Sequence, residues 1–425
     1  MKRWTILTSI LIIGIAIAVG VWFFVRATTS GTRVDTTPTS EQRGFLSFFG
    51  DTFGFSDDET PVATTTPVET PAGPSFRERL RRAQMLPIGN TILAGATFTT
   101  TIEVSTTTGA TTTEEFVRFV ERETGHINDI SLETGEELRV TNTTIPAIQE
   151  VLWGENGSSV ALRYLTEDNE TIETYVARLK TTMRPDPYDL TGIFFPQNIS
   201  SFSLSATGSE AFFMTMTQNQ GVGKLSTLTN QNQKTVFASP LREWVSSWET
   251  SEEIFVTSKP SVSAAGVSYA LQKDGGATRV ISGNGLTVLP SPSGTRVLYT
   301  TASQNTLRSF VLTRATQETK PLSVRTLPEK CVWRDDDVII CAIPDNIPAN
   351  TPDAWYQGNT SFNDSIWVID VANEIYDFLY APEDTDANQT MDIINLDLSD
   401  DGTILSLINK KDLRGWVADV SPVVE

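Results

Sequence analysis

The chain has 425 residues, with 32 basic against 52 acidic side chains and a net charge of −20. Phosphate repels such a surface, which disfavours a nucleic-acid partner, and none is expected. Abundant Thr and Ser, many short β-branched runs and little helical period beyond the first residues point to an all-β protein.

In chain order, Trp4 to Val25 carries no charge and is rich in Ile, Val and Leu, long enough to cross a hydrocarbon core of roughly 30 Å as one helix. Lys2 and Arg3 precede it and favour a cytoplasmic N-terminus, an asymmetry that Arg26 and Arg33 weaken. Val25-Arg26-Ala27 offers an alternative reading as a signal-peptidase site, but the apolar run exceeds a usual signal-peptide core. The expectation is an uncleaved signal anchor: a single-pass plasma (inner) membrane protein with the rest of the chain extracytoplasmic.

Residues 27–74 are dominated by Thr, Ser, Pro, Gly and Asp, a mixture that buries too little apolar area to order itself and reads as a disordered tether. Within it Phe45, Phe48 and Phe49 fall on one side of a short helix, either as a docking peptide for a partner or as a segment folding back onto the main domain. Ser75-Phe76-Arg77-Glu78 then has capping-box spacing and predicts a short basic helix over 75–84.

From residue 85 to 425 the pattern is repetitive. Six times an apolar run reaches a Gly, Asp or Ser turn and is answered by a second apolar run, with turns centred near Glu155, Gly208, Thr250, Ser293, Asp336 and Asp401. The step is about 43 residues, that of four-stranded propeller blades. A weaker turn at Thr108 to Thr112 brings the expected count to seven, with six or eight as alternatives. Strand-like stretches in Asn90 to Val104 can supply the outer strand missing after Val420, closing the ring. Two breaks in the period mark loops: Thr181 to Tyr188 and the longer Ile343 to Asp364, each punctuated by prolines.

The longer insertion is the expected recognition element. Trp355, Tyr356 and Phe362 offer flat apolar area, and Gln357 and Asn359 offer donors and acceptors, a mixture suited to a sugar or a peptide. The alternative is a lid whose aromatics cover the core. Cys331 and Cys341 flank the Asp336 turn symmetrically, so antiparallel pairing sets them directly across a hairpin and within reach of a disulfide.

Catalytic and metal constellations do not emerge, and neither a cofactor nor an enzymatic activity is expected. His126 is the single histidine, and a triad would have to be built around it alone. Asp384 to Asn388 begins like a calcium loop, but Gln389 stands where the sharp turn needs Gly and Asn395 where a bidentate Glu is expected. A carboxylate pair of the glycosidase kind stays open.

Ser291-Pro292-Ser293-Gly294 with the following Thr295-Arg296-Val297-Leu298-Tyr299, and Ser399-Asp400-Asp401-Gly402, resemble the Ser-Pro-Asp-Gly hairpins of TolB-type and WD-repeat-like propellers. The resemblance spans roughly residues 85 to 425, is degenerate at the other turns and lacks the Trp-Asp dipeptide of true WD repeats. Cys331-Val332-Trp333 and Trp355-Tyr356-Gln357-Gly358 are similar to stretches of singly anchored envelope propellers of small-genome bacteria. These resemblances imply protein or glycan binding and transfer no catalytic residue. The expected function is thus a membrane-anchored, extracytoplasmic binding or scaffolding module with an envelope protein or glycan as partner. A propeller-fold glycan hydrolase or lyase, or a subunit of a surface appendage or secretion assembly, are the alternatives.

Overall fold

The architecture is that of a computed structural model, in which residues 73–104, 111–180, 186–250 and 252–421 are described. Helix α1 (Phe76–Ala83) leads in. Its capping box is formed: the Ser75 hydroxyl accepts from the Glu78 amide at 3.3 Å and the Glu78 carboxylate accepts from the Ser75 amide at 3.0 Å. Phe76 and Leu80 enter the core, while Arg77 faces the Glu115 and Asp401 carboxylates. Of the helix's arginines, Arg77 is thus acid-paired.

Strands β1 (Met85–Val104), β2 (Thr111–Glu121), β3 (Ile127–Ser131) and β4 (Glu137–Arg139) follow as an antiparallel meander. Four-stranded sheets come next: β5 to β8 (Ile148–Trp153, Ser159–Leu165, Ile172–Arg178, Gly192–Phe194) and β9 to β12 (Ile199–Leu204, Glu210–Met216, Gly221–Thr227, Lys234–Ser239). Then come β13 to β16 (Trp244–Ser247, Ile254–Ser258, Ala265–Leu271, Ala277–Asn284) and β17 to β20 (Thr287–Pro290, Arg296–Ser303, Thr306–Thr313, Glu318–Pro321). The last complete sheet is β21 to β24 (Cys331–Trp333, Val338–Pro344, Asp364–Asp370, Ile375–Tyr380). Finally β25 (Ile393–Leu398), β26 (Ile404–Asn409) and β27 (Arg414–Asp419) join the first meander, giving the order β25-β26-β27-β1-β2-β3-β4.

The expected seven independent blades are corrected accordingly. Five four-stranded sheets stand as blades of their own, and the remaining strands run together in one seven-stranded sheet because β1 serves two partners. Its first residues, Met85 to Ile88, pair with β27, and Leu93 to Val104 pair with β2. Both ladders shift register where the strand bends, and Gly89, at φ +58°, takes the left-handed conformation that the bend requires. The closing strand thus begins ahead of the stretch singled out from sequence.

The hairpin turns are held locally. Ser205, Ser291 and Ser399 each turn a hydroxyl back to accept the amide five residues on, from Glu210, Arg296 and Ile404 respectively. Apolar side chains sit between adjacent sheets. Ala94, Val120 and Ile127 pack with Val160, Leu162 and Ala177, and Ile340 and Ile366 pack with Ile393, Leu405 and Leu407. Burial of neighbouring faces against each other makes the sheets interdependent.

Among the described residues no helix is long and apolar enough to cross a membrane. This corrects the expected single-pass architecture, its plasma-membrane location and its membrane partner; Trp4 to Val25 lies outside the described residues, as does the tether with Phe45, Phe48 and Phe49.

Candidate functional site: the channel mouth

The first strands of several sheets surround a cavity of about 470 Å³, lined by residues of β1, β5, β9, β13 and β25. It lies at the turn side, where Glu155, Asn156, Ala206 and Glu249 lead from first to second strands. Close approach of the strands demands small residues there. A Cβ on Gly95 would stand 2.7 Å from the Val151 Cβ, and one on Gly154 would stand 2.1 Å from the Ser159 hydroxyl.

The wall is largely hydroxylated. Ser201 and Ser246 hydroxyls meet at 3.0 Å, Ser203 donates to Ser246 at 3.2 Å, and the Ser246 amide donates to Ser201 at 2.9 Å, tying β9 to β13. Asn156, at φ +50°, accepts from the Thr100 amide at 2.7 Å and donates to the Thr100 carbonyl at 3.3 Å. The indole N–H groups of Trp153 and Trp248 and the Ser247 hydroxyl are buried without a partner among the described residues. These three residues line the cavity, but the donor atoms themselves are buried behind its surface.

Two carboxylates set its charge. Asp397 accepts from the Thr97 hydroxyl at 2.6 Å and from the Phe98 and Leu398 amides at 3.1 and 3.0 Å. Burial nevertheless raises its carboxyl above the usual range, against the pull of those hydrogen bonds. Glu249 is water-accessible where it lines the cavity, yet the protein packed around it displaces enough solvent to raise its carboxyl, and the Asp397 charge adds to the rise. Neither carboxylate pairs with a basic side chain among the described residues.

The residues singled out from sequence are placed elsewhere. Trp355 and Tyr356 belong to the short helix α2 (Asp353–Tyr356), within the connection from β22 to β23 and so at the end of that blade opposite its Asp336 turn. Trp355 and Phe362 are only 5% and 2% exposed, stacked at 5.8 Å with planes 9° apart. The Trp355 indole donates to Asp392 at 2.9 Å, and Lys410 Nζ lies 3.8 Å from the Trp355 ring centre. Tyr356, 44% exposed, gives its hydroxyl to Glu329, and the exposed Asn359 donates to Gln357 at 3.0 Å. The insertion therefore splits into two buried rings committed to packing and three residues facing outward. Cys331 and Cys341 are register partners across β21 and β22, joined through sulfur at 2.10 Å. His126 meets Thr144 at 3.1 Å and lies 3.6 Å from Glu121. Among the described residues no group of three or more His, Cys, Asp or Glu is arranged to hold a metal.

Sequence reasoning missed Glu249 and Asp397. Their signal was positional: both sit at the turn-side end of a blade's first strand, just ahead of turns near Thr250 and Asp401. Aligning blades by strand position rather than by departures from the period would have found them.

No family model matches the chain, and no curated protein matches it. Among solved structures, an oligogalacturonate lyase in complex with manganese aligns over 80% of this chain and 98% of its own, with TM-score 0.47 and 9% identity. The tricorn protease aligns over 79% of this chain at 11% identity and TM-score 0.44, and this chain spans 34% of that one. TolB from Acinetobacter baumannii aligns over 68% and 84% of the two chains, at TM-score 0.39 and 11% identity. These structures include a lyase and a protease as well as TolB. TolB and a WD40 domain are among the structures this chain is similar to, at low identity; the expected kinship with singly anchored envelope propellers is corrected, since no described helix is long and apolar enough to cross a membrane. The expected membrane-anchored envelope module, with its envelope protein or glycan partner, is corrected by the same absence among the described residues.

Proposed function

We propose that the propeller is a binding protein whose channel mouth takes a positively charged group, an ammonium or guanidinium carried by a small molecule or a peptide side chain. One observation carries this reading: Glu249 and Asp397, two like charges, line one cavity, and neither is paired with a basic side chain among the described residues. An incoming cation relieves that repulsion and takes up the charge that burial disfavours. The neighbouring serine hydroxyls and Asn156 orient the rest of the ligand. A net charge of −20 raises the local concentration of cations and speeds their encounter, an effect that salt screens.

Calorimetric titration with N-acetyl-arginine amide, against neutral N-acetyl-glutamine amide, tests the reading. The charged probe is expected to bind and the neutral one to fail, with binding lost in the Glu249→Gln, Asp397→Asn double variant and weakened as pH falls and the carboxyls protonate. Equal behaviour of the two probes, or full binding by a folded double variant, overturns it.

A further inference from the structure

Lys330 closes a short turn ahead of β21, and its side chain is fully buried. Its Nζ lies 2.6 Å from Asp364 Oδ2, 2.7 Å from Asp392 Oδ1 and 2.8 Å from the Ile393 carbonyl. Both carboxylates are themselves 0% exposed. The aromatic rings of Trp355 and Phe362 stand 5.3 and 5.1 Å from the nitrogen. One ammonium and two carboxylates are thus sealed in an apolar box, a costly arrangement in a medium that favours neutral species.

The Asp364 carboxyl is used unevenly. Oδ2 accepts from Lys330 and from the Ile393 amide at 2.6 Å, whereas Oδ1 is buried with no partner among the described residues. Asp392 accepts from the Trp355 indole, the Ser361 hydroxyl and the Phe362 amide as well as from Lys330. We infer that Lys330 and Asp364 condense to an intramolecular isopeptide bond, with Asp392 relaying the proton.

Atoms and charges balance within the site. Asp392 takes a proton from the Lys330 ammonium, freeing a lone pair on Nζ that attacks Asp364 Cγ. The Nζ–Cγ bond forms, the Cγ–Oδ1 bond breaks with its electron pair on Oδ1, and that oxygen leaves as water carrying two protons of the original ammonium, one of them returned by Asp392. Oδ2 remains as the amide oxygen, already held by the Ile393 amide, and the new N–H donates to Asp392. One positive and one negative buried charge disappear. Burial favours the neutral acid needed at Asp364, raising its carboxyl to about 6 against the lowering pull of Lys330. Fixed contact replaces a bimolecular encounter, as in other well-oriented intramolecular reactions.

The test is the mass of the intact, reduced and denatured wild-type chain, followed by proteolytic mapping. The expected result is a chain lighter by one water, with a branched fragment joining the Lys330 and Asp364 segments and no tryptic cleavage after Lys330. The full sequence mass overturns the proposal, and so does a lost water that maps to any other residue. In Asp364→Ala the mass deficit is expected to vanish. Because the decisive measurement is on the wild type, a variant that fails to fold leaves the answer intact.

Discussion

Met85 lies opposite Ala418 in an antiparallel ladder, so the first strand of the propeller is stitched to its last. Leu86, Pro87 and Ile88 continue that pairing with Val417, Trp416 and Gly415. Met85 is fully buried among Ile340, Leu405 and Trp416. Met85→Ala is expected to cost about 2–5 kcal/mol, because it removes a core side chain at the seam. Urea unfolding followed by far-UV circular dichroism should show the whole transition moving to lower denaturant. A separate early transition with the main one unmoved would mean the seam is not part of the cooperative unit.

The insertion is predicted to divide sharply under mutation. Trp355→Ala or Phe362→Ala should each cost about 3–5 kcal/mol, since each leaves a void in a stacked, buried pair. Tyr356→Ala combined with Asn359→Ala should stay within about 1 kcal/mol, as both side chains reach solvent. Denaturation midpoints of the three variants decide between this division and a uniformly exposed loop.

Glu249 ties stability to pH in a definite direction. Its carboxyl is raised in the folded protein above its ordinary 4.5, so the folded chain holds more protons than the unfolded one across the window above that value. Stability therefore falls as pH rises through the window and stays lowered beyond it. Glu249→Gln should melt higher than wild type at pH 8 and level with it at pH 3, where both forms are neutral. Scanning calorimetry at the two pH values is the check; a lower melting point for the variant at pH 8 would contradict the sign.

Arg118 and Asp129 form a two-bonded pair at 2.8 and 2.7 Å, buried between β2 and β3, and Arg118 also donates to the Gly157 carbonyl at 2.9 Å. Asp129→Ala strands a guanidinium in the interior and should cost about 3–5 kcal/mol. Arg118→Met combined with Asp129→Leu should recover most of that loss. A double variant no more stable than Asp129→Ala would show that the link to Gly157, rather than the charge pair, carries the energy.

Much of the β-structure was legible because its signals are local. The turns near Gly208, Ser293 and Asp401 are written in Ser, Asp and Gly whose side chains or backbone freedom bend the chain within a few residues. Ser75 and Glu78 announced α1 in the same way. Cys331 and Cys341 were placed opposite each other by counting outward from one turn. The double use of β1 was less legible, since a continuous strand gives no local sign that its two halves serve different partners.

The candidate site followed another logic. Trp355 and Phe362 carry the residue types of a binding surface, yet Asp392, distant in sequence, draws the indole and the Phe362 amide inward. Glu249 and Asp397 look like ordinary polar residues beside turns, and become a site because strands from non-adjacent sheets converge on one cavity.

The sequence by itself determined the hairpins, their spacing, the acid-rich surface and the residues able to bridge through sulfur, because each depends on neighbours along the chain. Only the tertiary structure decided which first strands share a cavity, which aromatics are spent on packing and which lysine is shut in with two carboxylates. Burial and charge proximity depend on distances through space, and ring closure sets those distances between residues far apart in sequence.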